Sequence, residues 1–212
     1  IYCWNTEFQD RFEYFKKAGK VPSDVKVNFV ITPNENNAYQ NALDAALLKQ
    51  NEAAADDKID MFLIEADYAL KYVNSDYTLN VKDIGLTDKD LSDMYQYTKD
   101  IASTSKGDLK AVTWQATPGL FAYRRSIAKD VLGTDDPDKV QEALSTWDKF
   151  NSVAEKANAK GYKMLSGYDD AYRVFSNNVS KPWVDKNNKI QIDDNIMEWV
   201  DQTEAYAEKG YN

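Results

Sequence analysis

Three short stretches of the chain carry residues that could hold a polar ligand: Trp4-Asn5-Thr6-Glu7, Glu65-Ala66-Asp67-Tyr68 and Gly167-Tyr168-Asp169-Asp170. Each sets an aromatic ring beside carboxylates or amides. That mixture suits a polyhydroxylated molecule: the C–H face of a sugar packs on Trp or Tyr, while acids and amides accept from and donate to its hydroxyls. Trp114 and Trp183 lie beside polar loops and are candidates for the same stacking role or for the core. Acidic residues after a strand also serve as helix caps, and Asp169 and Asp170 can simply begin the helix that follows them. A second chemistry is open to the same carboxylates. Glu65 or Asp67 opposite Asp169 would give the pair that glycoside hydrolysis uses, a reaction that needs no histidine. A receptor for peptides or amino acids would instead aim an arginine at a carboxylate. Arg124, Arg125 and Arg173 are available, although the first two sit at a strand-to-helix junction that suits ion pairs.

Composition removes other classes. The 212 residues contain no histidine and one cysteine, Cys3. Triads built on imidazole, histidine-ligated metals, internal disulfides and thiolate clusters are therefore outside the chain's means. No catalytic residue, metal or cofactor is expected. A net charge of −9 opposes a phosphate backbone, so no nucleic-acid partner is expected either. No apolar run reaches the roughly 18 residues of a membrane helix. The chain opens at Ile1-Tyr2-Cys3-Trp4 without a methionine, a basic segment or an apolar leader.

The elements that must position the candidates follow from hydrophobic period. IYCWN reads as a short buried strand, with Cys3 as a small hydrophobe. Phe8, Phe12 and Phe15 recur as the stripe of an amphipathic helix that ends at Ala18-Gly19. VKVNFVI (25–31) alternates as a strand, Asn36-Asn37 cap a helix with stripe Tyr39, Leu43 and Leu47, and 60–64 reads as a strand covered on both faces. Thr87 starts a helix carrying Leu91, Met94, Tyr95 and Ile101. Ser145-Thr146 cap another, with Trp147, Phe150, Val153, Ala154 and Ala157 on one face and a stop at Lys160-Gly161. Residues 162–166 read as a strand, 183–193 as a hairpin turning at Asn187-Asn188. The last helix carries Ile196, Trp199, Val200, Thr203 and Ala207. Alternation of strand and helix gives an α/β class, in two units, one before residue 111 and one after 120. The only connection between them is the stretch AVTWQATPGLFAYRRSIAK (111–129), which is either a hairpin folded at Pro118-Gly119 or a crossing segment.

In this order of parts the chain resembles the extracellular solute-binding proteins of bacterial ABC transporters, in the family that contains maltose-binding protein. The resemblance runs along nearly the whole chain. It rests on IYCWNTEFQDRFEYF, DMFLIEADYA, TWQATPGLFAYRRSIAKDVLG, STWDKFNSVAEKANAKGYKML and PWVDKNNKIQID. It implies a periplasmic-binding-protein-like fold of type II, two lobes each built on a βαβ sheet: residues 1–114 as first lobe, 115–119 as hinge crossing, 120–212 as part of the second. It implies a non-enzymatic receptor that captures a mono- or oligosaccharide between its lobes and delivers it to a permease. The location implied is extracellular, as a cell-surface lipoprotein or in the periplasm, with membrane contact only through a lipid anchor outside this chain. The family's pocket positions fall on Asn5, Glu7, Asp67, Gln115, Thr117, Tyr168 and Asp169. Thr117 stands about where relatives place an acidic ligand contact. Relatives also return to the first lobe and add a helical segment, so the chain is expected to be an incomplete form, about the N-terminal half of a longer parent.

Overall fold

A computed structural model describes residues 1–212. The chain divides into two compact units, Ile1–Ala116 and Thr117–Asn212.

In the first unit, β1 (Tyr2–Cys3) pairs in parallel with β2 (Val30–Ile31), and on its other side Tyr2 forms a parallel bridge with Phe62. Met61 O accepts from Tyr2 N and Tyr2 O from Leu63 N, both at 3.0 Å. The order across this array is therefore 28–32, then β1, then 61–63, as in the start of a doubly wound sheet. The ladder is far shorter than the sequence implies: only two residues of 25–31 pair, and 60–64 contributes one bridge. A side chain reinforces the two backbone bonds that hold the third segment. Tyr39, fully buried on α2 (Ala38–Leu48), donates its hydroxyl to Leu63 O at 2.6 Å, with Tyr2 O at 3.1 Å.

The stripe Tyr39, Leu43 and Leu47 is buried as the period requires, and with Tyr72 of α3 (Ala69–Val73) it forms one core cluster. Asn36 and Asn37 do not cap α2 with their side chains; both adopt left-handed backbone, turning the chain into the helix. Helix α1 (Glu7–Lys17) has the expected bounds, and Gly19 follows at φ +70°, but no residue of α1 is buried. Its Phe stripe meets Trp114 and Phe29 and leaves Phe15 52% exposed. The helix expected from Thr87 begins instead at Gln96 as α4 (Gln96–Ile101). Thr87 N and Oγ1 both donate to Asp90 Oδ2, at 2.8 and 2.6 Å, and Ser92 Oγ returns to Lys89 O, so local side-chain bonds hold turns where a helix would compete. Val81, Leu91, Ala102 and Leu109 make a second small core beneath them.

Residues 112–124 form no ladder, so neither side of Pro118-Gly119 is a strand. Regular structure resumes at α5 (Arg125–Leu132). Pro118 offers no amide, and Gln115 turns back on Thr113, whose Oγ1 donates to Gln115 O and accepts from Gln115 N. Gly119 has no positive φ, and no hairpin forms at Pro118-Gly119.

The second unit is built on helices. After α5 come α6 (Pro137–Ala143), α7 (Trp147–Ala159), α8 (Tyr172–Ser176) and α9 (Asp194–Lys209). Thr146 caps α7 by accepting from Lys149 N at 3.3 Å, and Phe150, Val153, Ala154 and Ala157 are buried. Gly161 follows at φ +81°, the left-handed stop that the sequence marks. The expected sheet of this unit does not form. Residues 162–166 are held by the far end of the chain, where Tyr211 O accepts from Met164 N and Leu165 N at 2.7 and 3.2 Å. A strand needs a partner, and the apolar run 120–123 pairs with nothing: Leu120 is 89% exposed, while Phe121 packs on Phe150 and Tyr123 donates to Asp135 O. The hairpin at 183–191 is present: Val184 bridges Ile190 and Asn188 takes φ +60°. On α9 the inward face is Ile196, Trp199, Thr203 and Tyr206, while Val200 and Ala207 face solvent. Phe150, Leu165, Phe175, Tyr206 and Tyr211 form the unit's core.

Candidate functional site

Ligands of open α/β sheets settle just past the carboxyl ends of the strands, where the order reverses. In the first unit that place lies between the loops after β1 and after 61–63. Trp4 leaves β1 and rests edge-on against Tyr39, ring centroids 5.4 Å apart at 74°. The position of Trp4 is thus set by the side chain that also ties down Leu63. Asn5 begins α1: its Oδ1 accepts from Glu7 N at 3.0 Å. That bond turns the chain so that Glu7 stands in the first helical turn.

Glu7 and Gln115, 108 residues apart, meet here: Gln115 Nε2 donates to Glu7 Oε1 at 3.0 Å. Arg11, one turn further along α1, stands 3.9 Å from the same oxygen. Trp114 packs edge-on against Phe8 at 5.4 Å. The structure therefore brings Glu7, Trp114 and Gln115 together, and both ends of α1's first turn contribute. On the neighbouring loop, Glu65 Oε2 accepts from Asn34 Nδ2 at 3.4 Å. Asp67 is exposed, and Tyr68 packs over Tyr72 at 6.2 Å. The Tyr68 hydroxyl oxygen is buried without a hydrogen-bond partner, and desolvation pushes its pKa up to about 12. It stays a neutral phenol at any physiological pH, able to donate to a ligand or a water.

Three participants escape a sequence reading. Asn34 stands three residues past the end of β2, so the strand-end rule applied to a third end would have found it. Arg11 reads as one charge on a solvated helix face, and Tyr39 as one member of a core stripe. Neither period nor composition shows that Arg11 stands beside Glu7 or that the Tyr39 hydroxyl reaches Leu63 O.

In the second unit, Tyr168 is exposed, and its carbonyl accepts from Trp199 Nε1 at 3.1 Å. Asp169 is exposed, with its carbonyl accepting from Tyr172 N at 3.0 Å ahead of α8. Asp170 is occupied by its own loop, where its Oδ2 accepts from Ser166 N at 2.7 Å, Ser166 Oγ at 2.6 Å and Gly167 N at 3.2 Å. Those bonds, Ser166's first, hold its carboxyl below the usual range. Trp183 stands on the hairpin, 54% exposed, and Thr117 opens the unit in an exposed loop. Arg125 is engaged by Asp135 at 3.2 Å, an ion pair within the unit. No group of histidine, cysteine or acidic side chains is arranged to hold a metal ion.

A family model described as bacterial extracellular solute-binding protein matches residues 10–209. No curated protein matches the chain, and no solved structure does.

Proposed function

Since the chain belongs to the bacterial extracellular solute-binding proteins, which take up solutes for ABC transporters and are generally not enzymes, we propose that its solute is a mono- or oligosaccharide. The observation that supports this most is the convergence of Glu7, Arg11, Gln115 and Trp114 at the start of α1, with Asn5 bonded to Glu7, in the first unit. A carboxylate, a guanidinium and an amide offer acceptors and donors side by side, which hydroxyls can use in both directions. Indole rings next to them cover the apolar face of a pyranose. Glu65, Asp67 and Tyr68 line the adjacent loop and extend the set. Tyr168 and Asp169, with Thr117 and Trp183, are the candidates of the second unit. The residues around 115–119 act as the hinge of capture, and the loaded protein then meets the permease.

A thermal-shift screen with sugars, amino acids and short peptides tests the reading. A ligand that binds only the folded state raises the midpoint in proportion to RT ln(1 + [L]/Kd). Saturable shifts with one class of sugar support the proposal. Shifts with amino acids or peptides alone overturn it.

A further inference from the structure

The hairpin of the second unit stands out into solvent. From Lys181 to Ile190 every residue except Asp185 is exposed. Its geometry is nonetheless fastened at both ends. At the neck, the buried Asp193 carboxylate accepts from Ser180 N, Ser180 Oγ and Lys181 N at 2.8, 3.0 and 2.9 Å. At the tip, Asp185 Oδ1 accepts from Asn187 N at 2.8 Å and from Lys189 N at 2.9 Å. Between them Gln191 N donates to Trp183 O and Asp185 N to Lys189 O, both at 2.9 Å, so Val184 and Ile190 form a non-hydrogen-bonded pair on one face. Pleat alternation puts Ile192 on that face too. Ile190 is 80% exposed, and Val184, Ile192 and Trp183 are each about half exposed. A two-stranded hairpin is marginal in water by itself, and this one is pinned by two carboxylates while its apolar face meets solvent.

Charge and size identify what covers that face. Residues 180–192 carry Lys181, Lys186 and Lys189 against Asp185 alone, in a chain whose net charge is −9. Lys181 pairs with Asp194 at 3.4 Å, whereas Lys186 and Lys189 have no acidic partner. A second copy of the hairpin would bring like charges together. Three aliphatic side chains are also a small patch against the roughly 800 Å² per partner of a specific protein interface. A bilayer needs no shaped counterpart. Aliphatic groups, an indole and lysines are the mixture that settles at the headgroup boundary, where the ring sits at the interface and the ammonium groups reach phosphates. The acidic remainder of the chain does not forbid this. Five steps from Lys181 to Lys186 span about 16 Å at roughly 3.3 Å each, twice the Debye length of about 8 Å at physiological ionic strength. We propose that the 181–192 hairpin docks on an anionic lipid surface, keeping the protein at the membrane in which its permease lies. The inference stands on the second unit alone and holds for any solute.

Flotation of the full chain with vesicles of phosphatidylcholine, and of phosphatidylcholine mixed with phosphatidylglycerol, tests it. Binding to the mixed vesicles about tenfold tighter than to phosphatidylcholine alone is expected, weakening as salt rises. Lys186→Gln combined with Lys189→Gln should remove about that tenfold. Val184→Ser combined with Ile190→Ser should weaken binding to a similar degree, and an unchanged melting midpoint should show that these exposed positions leave the fold intact. Lys17→Gln combined with Lys20→Gln, at two exposed lysines of the first unit, should change nothing. Equal binding to both kinds of vesicle removes the role of charge and overturns the inference. Binding to mixed vesicles that both hairpin pairs leave unchanged puts the contact elsewhere and overturns it. A dimer in light scattering that Ile190→Ser dissolves makes a second copy the occupant and overturns it too. No binding to either vesicle leaves the hairpin to a protein partner and overturns it as well.

Discussion

Removing one oxygen atom from Tyr39 should loosen the whole carboxyl end of the first unit's sheet. Tyr39→Phe keeps the buried ring, so no cavity opens, and its edge contact with Trp4 is retained. What is lost is the donor to Leu63 O at 2.6 Å, a buried bond, and the second contact to Tyr2 O at 3.1 Å. Tyr2 O also accepts from Leu63 N, so it stays paired. The Leu63 carbonyl is left without a donor, and a buried acceptor in that state costs about 1–3 kcal/mol. We expect about 2 kcal/mol, near a thirtyfold drop in the folded-to-unfolded ratio at 1.4 kcal/mol per factor of ten. Tyr72→Phe is the control. Its buried hydroxyl donates to Asp44 at 3.0 Å, but Asp44 is partly exposed and keeps Lys71 and water as partners, so no buried acceptor is orphaned and the cost should stay near or below about 1 kcal/mol. Because two units need not unfold together, urea curves should be read alongside hydrogen exchange. Faster exchange at Tyr2, Leu63 and their neighbours in Tyr39→Phe, with the second unit unchanged, is the expected pattern. A Tyr39→Phe protein as stable as the parent, or no less stable than Tyr72→Phe, would refute the reasoning that the Tyr39 hydroxyl adds substantially to the backbone bonds fastening the third segment.

Other outcomes follow from the same contacts. Leu43→Ala, at a fully buried position on α2, should cost about 2–5 kcal/mol by urea unfolding of the first unit. Thr146→Ala removes the acceptor for Lys149 N and should destabilise the second unit by about 1 kcal/mol, read from its exchange protection. In acid the second unit should fail first. Asp193, which accepts from Asn195 N, Ser180 N and Lys181 N, has its pKa lowered from 3.8 to about 2, and Asp130, Asp135, Asp170 and Asp185 are lowered as well. Depressed carboxyl groups contribute stability that is complete above about pH 4 and is lost as pH falls through about 2, so circular dichroism and exchange against pH should show this order, and Asp193→Asn should flatten it. In alkali the sign reverses: burial raises Tyr68 and Tyr206 to about 12, and Tyr39 and Tyr72 higher still, so stability falls above pH 10, and absorbance at 295 nm should show a late-titrating group of phenols.

Helices were the legible part of this chain, because their signals are local. Thr146 ahead of Trp147, the buried positions at Phe150, Val153 and Ala157, and Gly161 after them all lie within one window. Tyr39, Leu43 and Leu47 likewise declare a face. Strands depend on partners far away in the chain, and the runs 60–64, 120–123 and 162–166 look alike in sequence. One gains a single parallel bridge, one finds no strand partner, and one is held by Tyr211. The α9 stripe was misplaced at Val200 and Ala207 because its packing follows Ile196, Trp199, Thr203 and Tyr206, a narrower repeat than the expected face. For the site, strand-end logic marked Trp4, Asn5 and Glu7 from local residues alone. The bond from Gln115 to Glu7 spans 108 positions, and no pattern along the chain encodes that meeting.

Calorimetric titration of this chain with a panel of mono- and oligosaccharides, repeated on Glu7→Gln, tests the sugar-binding claim most directly. Glu7 takes the amide of Gln115 and stands beside Arg11, so its carboxylate is the acceptor a sugar hydroxyl would share. A hydrogen bond to a charged group contributes about 1.5–3 kcal/mol, and its replacement by a neutral amide should weaken a bound sugar by about tenfold or more. Saturable binding of one class of sugar to the parent chain is expected, with that loss in Glu7→Gln and no product released from any glycoside. Binding confined to amino acids or peptides, sugar affinity indifferent to Glu7→Gln, or hydrolysis of the glycoside would contradict it.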